Sequence, residues 1–139
     1  MSDIRKLRQD HAELVTIVGR LGQAVDAPTP PPAVELFAIR RELASTLVAH
    51  LKAEDWALYP RLLESADPEI VATAKATSDE MGGLADTFSL YAQRWDAMAI
   101  QADWPKFCAE TRAMIEALTN PIVRENRELY PLLDRLDRG

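Results

Sequence analysis

Cysteine is almost absent from this 139-residue chain, since Cys108 is the only one. A single cysteine excludes an internal disulfide and every metal site built from a cysteine cluster. Any bound metal ion would therefore be held by nitrogen and oxygen atoms. No run of about 18 apolar residues occurs, and the charged N-terminus carries no signal-peptide core. We therefore expect a soluble, cytoplasmic protein that does not bind membranes.

Positive charge is also in deficit, because 16 Lys and Arg residues stand against 22 Asp and Glu residues, a formal net charge of −6. Phosphate backbones would repel such a protein, so nucleic acid is not an expected partner. Glycine-rich phosphate loops and nucleophile–base–acid arrangements are missing, so the sequence favours a binding protein over an enzyme. The length and the 47% hydrophobic content predict a single domain over residues 1–139.

Apolar residues recur at steps of three and four, whereas strand-like alternation and Asn-Gly or Asp-Gly turns are missing. This pattern predicts an all-α chain. Breaks between the apolar stripes fall at the prolines of residues 28–32, at SADPE (65–69) and at QADWP (101–105), where Asp103 is a predicted N-cap. Four long helices with short connections predict an up-down-up-down four-helix bundle.

Two segments share the frame Glu-x-x-x-Leu-Tyr-Pro: HLKAEDWALYP, from His50 to Pro60, and PIVRENRELYP, from Pro121 to Pro131. The segments DHAEL (10–14) and EMGGL (80–84) lie 70 residues apart, and the two Leu-Tyr-Pro segments lie 71 residues apart. The bundle is therefore expected to consist of two related helical hairpins.

Four polar residues occupy stripe positions that face the predicted core: His11, His50, Glu54 and Glu125. An unpaired buried carboxylate is costly unless a cation or a hydrogen bond compensates it, so we expect the four side chains to meet. His50 and Glu54 are four residues apart and project from one helix face. Two imidazoles and two carboxylates suit iron, manganese or zinc, and we expect iron first and zinc second.

Structural explanations stay open for these residues. A lone histidine on an apolar stripe often hydrogen-bonds within a core, and Glu125 could pair with Arg124 or Arg127. Tyr59 and Tyr130 could donate hydrogen bonds to the carboxylates, although packing at the end of the bundle is favoured. Packing roles are also expected for Trp56, Trp95, Trp104 and Cys108.

The segments DHAEL and HLKAEDWALYP, with the second Leu-Tyr-Pro segment, resemble the hemerythrin-like (HHE cation-binding) family over nearly the whole chain. The resemblance implies a helical bundle with a carboxylate-bridged, non-haem di-iron centre. Such a centre binds dioxygen or responds to oxygen, nitric oxide, peroxide or iron. The resemblance also implies that His11 and His50 are terminal ligands of one iron and that Glu54 and Glu125 are bridging carboxylates.

The chain departs from the family pattern at the second iron, whose expected histidines fall on Met81 and Pro121. A thioether is a poor ligand for iron, and proline has no ligating side chain. We therefore expect one metal ion per chain in a His2Glu2 shell. Substitution by Asp79 or Glu80 is disfavoured, because Glu80 lies about 100° around the helix from the lost position.

The same departures support an alternative, in which Met81, Pro121 and Ile122 fill the vacated space of a metal-free bundle. That bundle would serve as a protein-interaction or signalling module with a protein partner. Pro121 is further expected to bend the fourth helix or to restart it with Asn120 as N-cap. The first expectation remains a binder or sensor of a small diatomic or peroxide ligand, or of iron.

Overall fold

The computed structural model describes residues 2–138, and its regular structure there is entirely helical. This confirms the predicted all-α class. The described elements are α1 (Ser2–Val25), α2 (Ala33–Ala57), α3 (Tyr59–Leu63), α4 (Pro68–Gly82), α5 (Leu84–Arg94), α6 (Ala97–Ala102), α7 (Trp104–Arg124), a π-helical segment (Glu125–Leu129) and α8 (Tyr130–Arg138).

The long helices form a ring around the core: α1 packs against α2 and α7, and α5 packs against the same two helices on the other side. Two apolar clusters fill the interior. The larger contains Leu14, Leu47 and Ile122, and the smaller contains Leu7 and Leu129. His11 lies one helical turn from Leu7 of the smaller cluster and one turn from Leu14 of the larger cluster. It therefore lies where the two clusters meet.

Helix boundaries follow the local sequence. α1 ends at Val25, just before the proline-rich segment, and Asp103 caps α7 by accepting a hydrogen bond from the backbone N–H of Lys106 at 3.2 Å. Both boundaries confirm the sequence prediction. The predicted third helix is divided into α4 and α5 at Gly82 and Gly83, which each lower helix stability by about 1 kcal/mol relative to alanine.

The tryptophans differ in exposure. Trp95 and Trp104 are buried as predicted, and so is Cys108, whereas the side chain of Trp56 is 87% exposed. The packing role expected for Trp56 is wrong. His50 and Glu54 lie on the inward face of α2, whereas Trp56 lies on its outer face.

Pro121 does not restart the fourth helix. α7 runs through it from Trp104 to Arg124, so the prediction of Asn120 as an N-cap is wrong. Proline has no N–H with which to bond the carbonyl of Ala117, yet the helix continues without that bond. The irregularity comes later, in the π-helical segment, where the N–H of Tyr130 bonds the carbonyl of Glu125.

Candidate metal centre

The structure brings the four predicted ligands together. His11, His50, Glu54 and Glu125 are each at most 1% exposed, and one ligand atom from each lies within 4.8 Å of all the others. His11 Nε2 is 3.0 Å from Glu125 Oε1, and His50 Nε2 is 3.3 Å from Glu54 Oε2. Residues from α1, α2 and the π-helical segment therefore form one buried cluster.

Each imidazole is oriented through its outer nitrogen. Nδ1 of His11 donates a hydrogen bond to Asn126 Oδ1 at 3.0 Å, and Nδ1 of His50 donates to Asp10 Oδ2 at 3.2 Å. These oxygens accept, so each Nδ1 carries a proton and each Nε2 faces the cluster. A carboxylate or amide behind a histidine is the usual support of a metal-binding imidazole.

The hydrogen bonds of Asp10 and Asn126 to the two imidazoles were not predicted from the sequence. Each residue adjoins a predicted ligand in the chain, but Asp10 supports His50 of α2 and not its neighbour His11. Adjacency to a ligand was the only signal available, and it does not show which ligand is supported.

Both tyrosines of the repeated segments donate hydrogen bonds to the carboxylates. Tyr59 donates to Glu125 Oε2 at 2.6 Å, and Tyr130 donates to Glu54 Oε2 at 2.8 Å. The preference for simple packing at these two positions is therefore wrong. The pairing of Glu125 with an adjacent arginine is not what the structure shows either, because Arg124 pairs with Glu80.

The repeated frame places its tyrosine five residues after its glutamate, and in an α-helix such residues point about 140° apart. Both copies depart from α-helical geometry at this place. The first breaks at Leu58 (φ −109°, ψ −63°), and the second passes through the π-helical segment, whose turns bond residues five apart. Glutamate and tyrosine can therefore both face the centre. The proline after each tyrosine lacks one helical N–H donor, which makes the departure less costly.

Burial and mutual contact shift the titration of the centre. Burial alone would lower the pKa of His50, but hydrogen bonds with Glu125, Glu54 and Asp10 raise it to about 10. Burial, with the neighbouring Glu125, raises the pKa of Glu54 to about 8. Hydrogen bonds with His11 and His50 outweigh burial and lower the pKa of Glu125 to about 2. Near neutral pH, His50 and Glu54 therefore hold protons that a cation can displace.

The residues present fit a metal ion. Glu54 Oε1 is buried and accepts no hydrogen bond within the described part of the chain, which is costly without a compensating cation. Two atoms bound to one ion at about 2.0–2.2 Å lie at most about 4.4 Å apart. The four ligand atoms all lie within 4.8 Å of one another, which is close to this limit.

The position expected for a second ion holds apolar groups. Met81, Pro121 and Ile122 are buried, Glu80 pairs with Arg124, and Asp79 is exposed. Neither acid joins the cluster, and among the side chains of residues 4–136 no second group of three metal-ligating side chains converges. The described structure therefore offers ligands for one centre.

A cavity of about 230 Å³ adjoins the centre between α2, α4 and α5. Its walls include Glu54 and Tyr59 of the centre and the side chain of Met81, and apolar groups such as Leu51 and Ala85 form much of the remainder. Nothing in the residue pattern predicted such a pocket. Its lining is mainly apolar, and it lies directly beside Glu54.

Residues 2–138 form an all-helical protein that contains a buried candidate cation-binding cluster of His and Glu side chains. Residues 2–133 match the model of the hemerythrin HHE cation binding domain, and the chain belongs to that family. No curated protein and no solved structure gives a match. Across the described residues, no helix is long and apolar enough to cross a membrane.

Replacing Asp10 by alanine is expected to weaken metal binding by about 10- to 100-fold, because His50 loses the acceptor that fixes its orientation. Metal affinity measured by competition with a chelator checks this result. Glu13→Ala, which removes an exposed carboxylate from the same helix, is the matched control and should leave the affinity unchanged. An equal affinity for both variants would show that Asp10 does not support the centre.

Proposed function

We propose that the protein binds one iron ion through His11, His50, Glu54 and Glu125 and uses it to bind or sense a small oxidant or gas (oxygen, nitric oxide or peroxide) or iron itself. The observation that supports this most is the convergence of four nitrogen and oxygen ligands in a fully buried place. Imidazole with carboxylate suits iron better than it suits calcium or magnesium.

Each residue of the centre has a role in this proposal. The two Nε2 atoms and the two carboxylates hold the ion, while Asp10 and Asn126 orient the imidazoles. When bound, iron supplies redox chemistry and affinity for small ligands. The cavity beside Glu54 admits a small molecule, and its apolar wall favours an uncharged one.

The alternative is a metal-free bundle that serves as a protein-interaction or signalling module. Its support is the buried packing of Met81, Pro121 and Ile122 and the hydrogen bonding of the tyrosines to the carboxylates. The acceptor atom Glu54 Oε1 argues against it, because a permanently metal-free centre leaves that atom buried without a partner.

Metal analysis distinguishes the two proposals. Protein purified without a metal-affinity tag, loaded anaerobically with ferrous iron and then desalted, is expected to retain about one ion per chain, since the described ligands form one cluster. Protein stripped with a chelator gives the baseline. About two ions would reveal a second site that we have not located, and no ion after loading would favour the metal-free module.

A further inference from the structure

The hydroxyl of Tyr130 lies among the predicted ligands and not at their edge. Its oxygen is 2.8 Å from Glu54 Oε2, 2.9 Å from His11 Nε2 and 3.5 Å from His50 Nε2, and the side chain is fully buried. It therefore contacts three of the four predicted ligands.

These separations match those between ligands of a common ion. Two atoms in adjacent positions on an ion, each bound at about 2.0–2.2 Å, lie about 2.8–3.1 Å apart. The distances from the Tyr130 oxygen to Glu54 and His11 fall in that interval. Tyr59 is different, because its hydroxyl contacts Glu125 Oε2, whereas Glu125 faces His11 through Oε1.

We propose that the Tyr130 phenolate is a fifth ligand when the centre holds ferric iron; this inference rests on the proposed function of the cluster as an iron site. The charges of a dry site need to balance. Two carboxylates balance a divalent ion, so the Tyr130 hydroxyl then keeps its proton and its hydrogen bond to Glu54. A trivalent ion requires a third anion, and the Tyr130 oxygen is the one positioned to supply it.

On ligation the O–H bond of Tyr130 would break, its oxygen would bind the ferric ion, and the proton would pass to solvent. The electron lost by ferrous iron goes to an added oxidant such as ferricyanide. Because phenolate is a hard anionic donor, it stabilises the ferric state relative to the ferrous state. Tyr130 would thus set both the redox preference of the centre and its choice between trivalent and divalent ions.

The test uses protein loaded anaerobically with one equivalent of ferrous iron, oxidised with ferricyanide and desalted. Wild-type protein and Tyr59→Phe are expected to show a visible phenolate-to-iron charge-transfer band with tyrosinate modes in resonance Raman spectra. Tyr130→Phe is expected to retain iron but to lose the band. Tyr59→Phe is the matched control, because it removes the other hydroxyl that donates to a carboxylate of the cluster.

Competition between gallium(III) and zinc(II) gives a readout free of redox chemistry. Wild-type protein should prefer the trivalent ion, and Tyr130→Phe should reduce that preference by on the order of tenfold or more, as expected for the loss of one charged ligand. If Tyr130→Phe fails to fold, as judged by circular dichroism, the wild-type Raman spectrum and the gallium preference decide the matter.

The outcomes distinguish ligation by Tyr130 from the existence of the four-residue iron centre. One iron per chain without a charge-transfer band, or a band that persists in Tyr130→Phe, overturns ligation by Tyr130 and leaves the four-residue centre intact. Absence of bound iron in the wild-type protein overturns the centre itself, and the role of Tyr130 with it.

Discussion

Replacing His50 by alanine is expected to abolish retention of the metal ion. The substitution removes one of four ligand atoms, and it leaves Asp10 and Glu54 without the imidazole that now bonds to both. The loss of affinity should exceed about 100-fold, because the loss of an outer hydrogen-bond partner alone typically costs 10- to 100-fold. Metal content after desalting and affinity by chelator competition measure the effect.

The matched control is Asp55→Asn, which removes an exposed carboxylate next to Glu54 on the same helix. That variant should retain the ion with unchanged affinity. Circular dichroism would establish that His50→Ala is folded, so that any loss reports on the site. If folded His50→Ala retained the ion as tightly as the wild type, the assignment of the ligands would be incorrect.

Affinity for a divalent ion should rise steeply with pH. The pKa values of His50 and Glu54 are raised to about 10 and about 8, so both groups are protonated near pH 7 in the metal-free protein. A metal ion binds the deprotonated forms and must displace both protons, and each displaced proton changes the affinity about tenfold per pH unit. We therefore expect an increase of about 100-fold per pH unit between pH 6 and 7, with a shallower slope above pH 8, where Glu54 has lost its proton.

Zinc is the suitable ion for this measurement, because a divalent ion needs no third anion from Tyr130. Calorimetric titrations in buffers of different ionisation enthalpy count the released protons, and about two per ion are expected. The Asp55→Asn variant, which leaves the cluster intact, should show the same slope. A slope near zero would indicate that the metal-free centre holds no displaceable protons.

Several parts of the structure followed from local sequence alone. The spacing of apolar residues predicted helices, the prolines at 28–32 predicted the end of α1, and Asp103 predicted the start of α7. These features depend on backbone conformation over a few residues, where propensity and capping are strong. The predicted inward positions of His11, His50, Glu54 and Glu125 are likewise what the structure shows.

The irregular backbone at the ends of the repeated segments did not follow from the pattern. A prediction from periodicity depends on a constant rotation per residue along the helix. The break at Leu58 and the π-helical segment change that rotation locally. Those changes allow Tyr59 and Tyr130 to face the centre, and regular helical spacing would have directed them elsewhere. The tyrosines were visible in the sequence, but their direction was not.

The sequence by itself determined which side chains are inward, because burial follows a helical repeat that each segment carries within itself. Only the tertiary structure decided which of them touch: that Asp10 supports His50, that Asn126 supports His11, and that the Tyr130 hydroxyl lies between ligands from two other helices. Such contacts join residues 40 to 119 positions apart. They depend on the relative rotation and height of packed helices, which no single segment encodes.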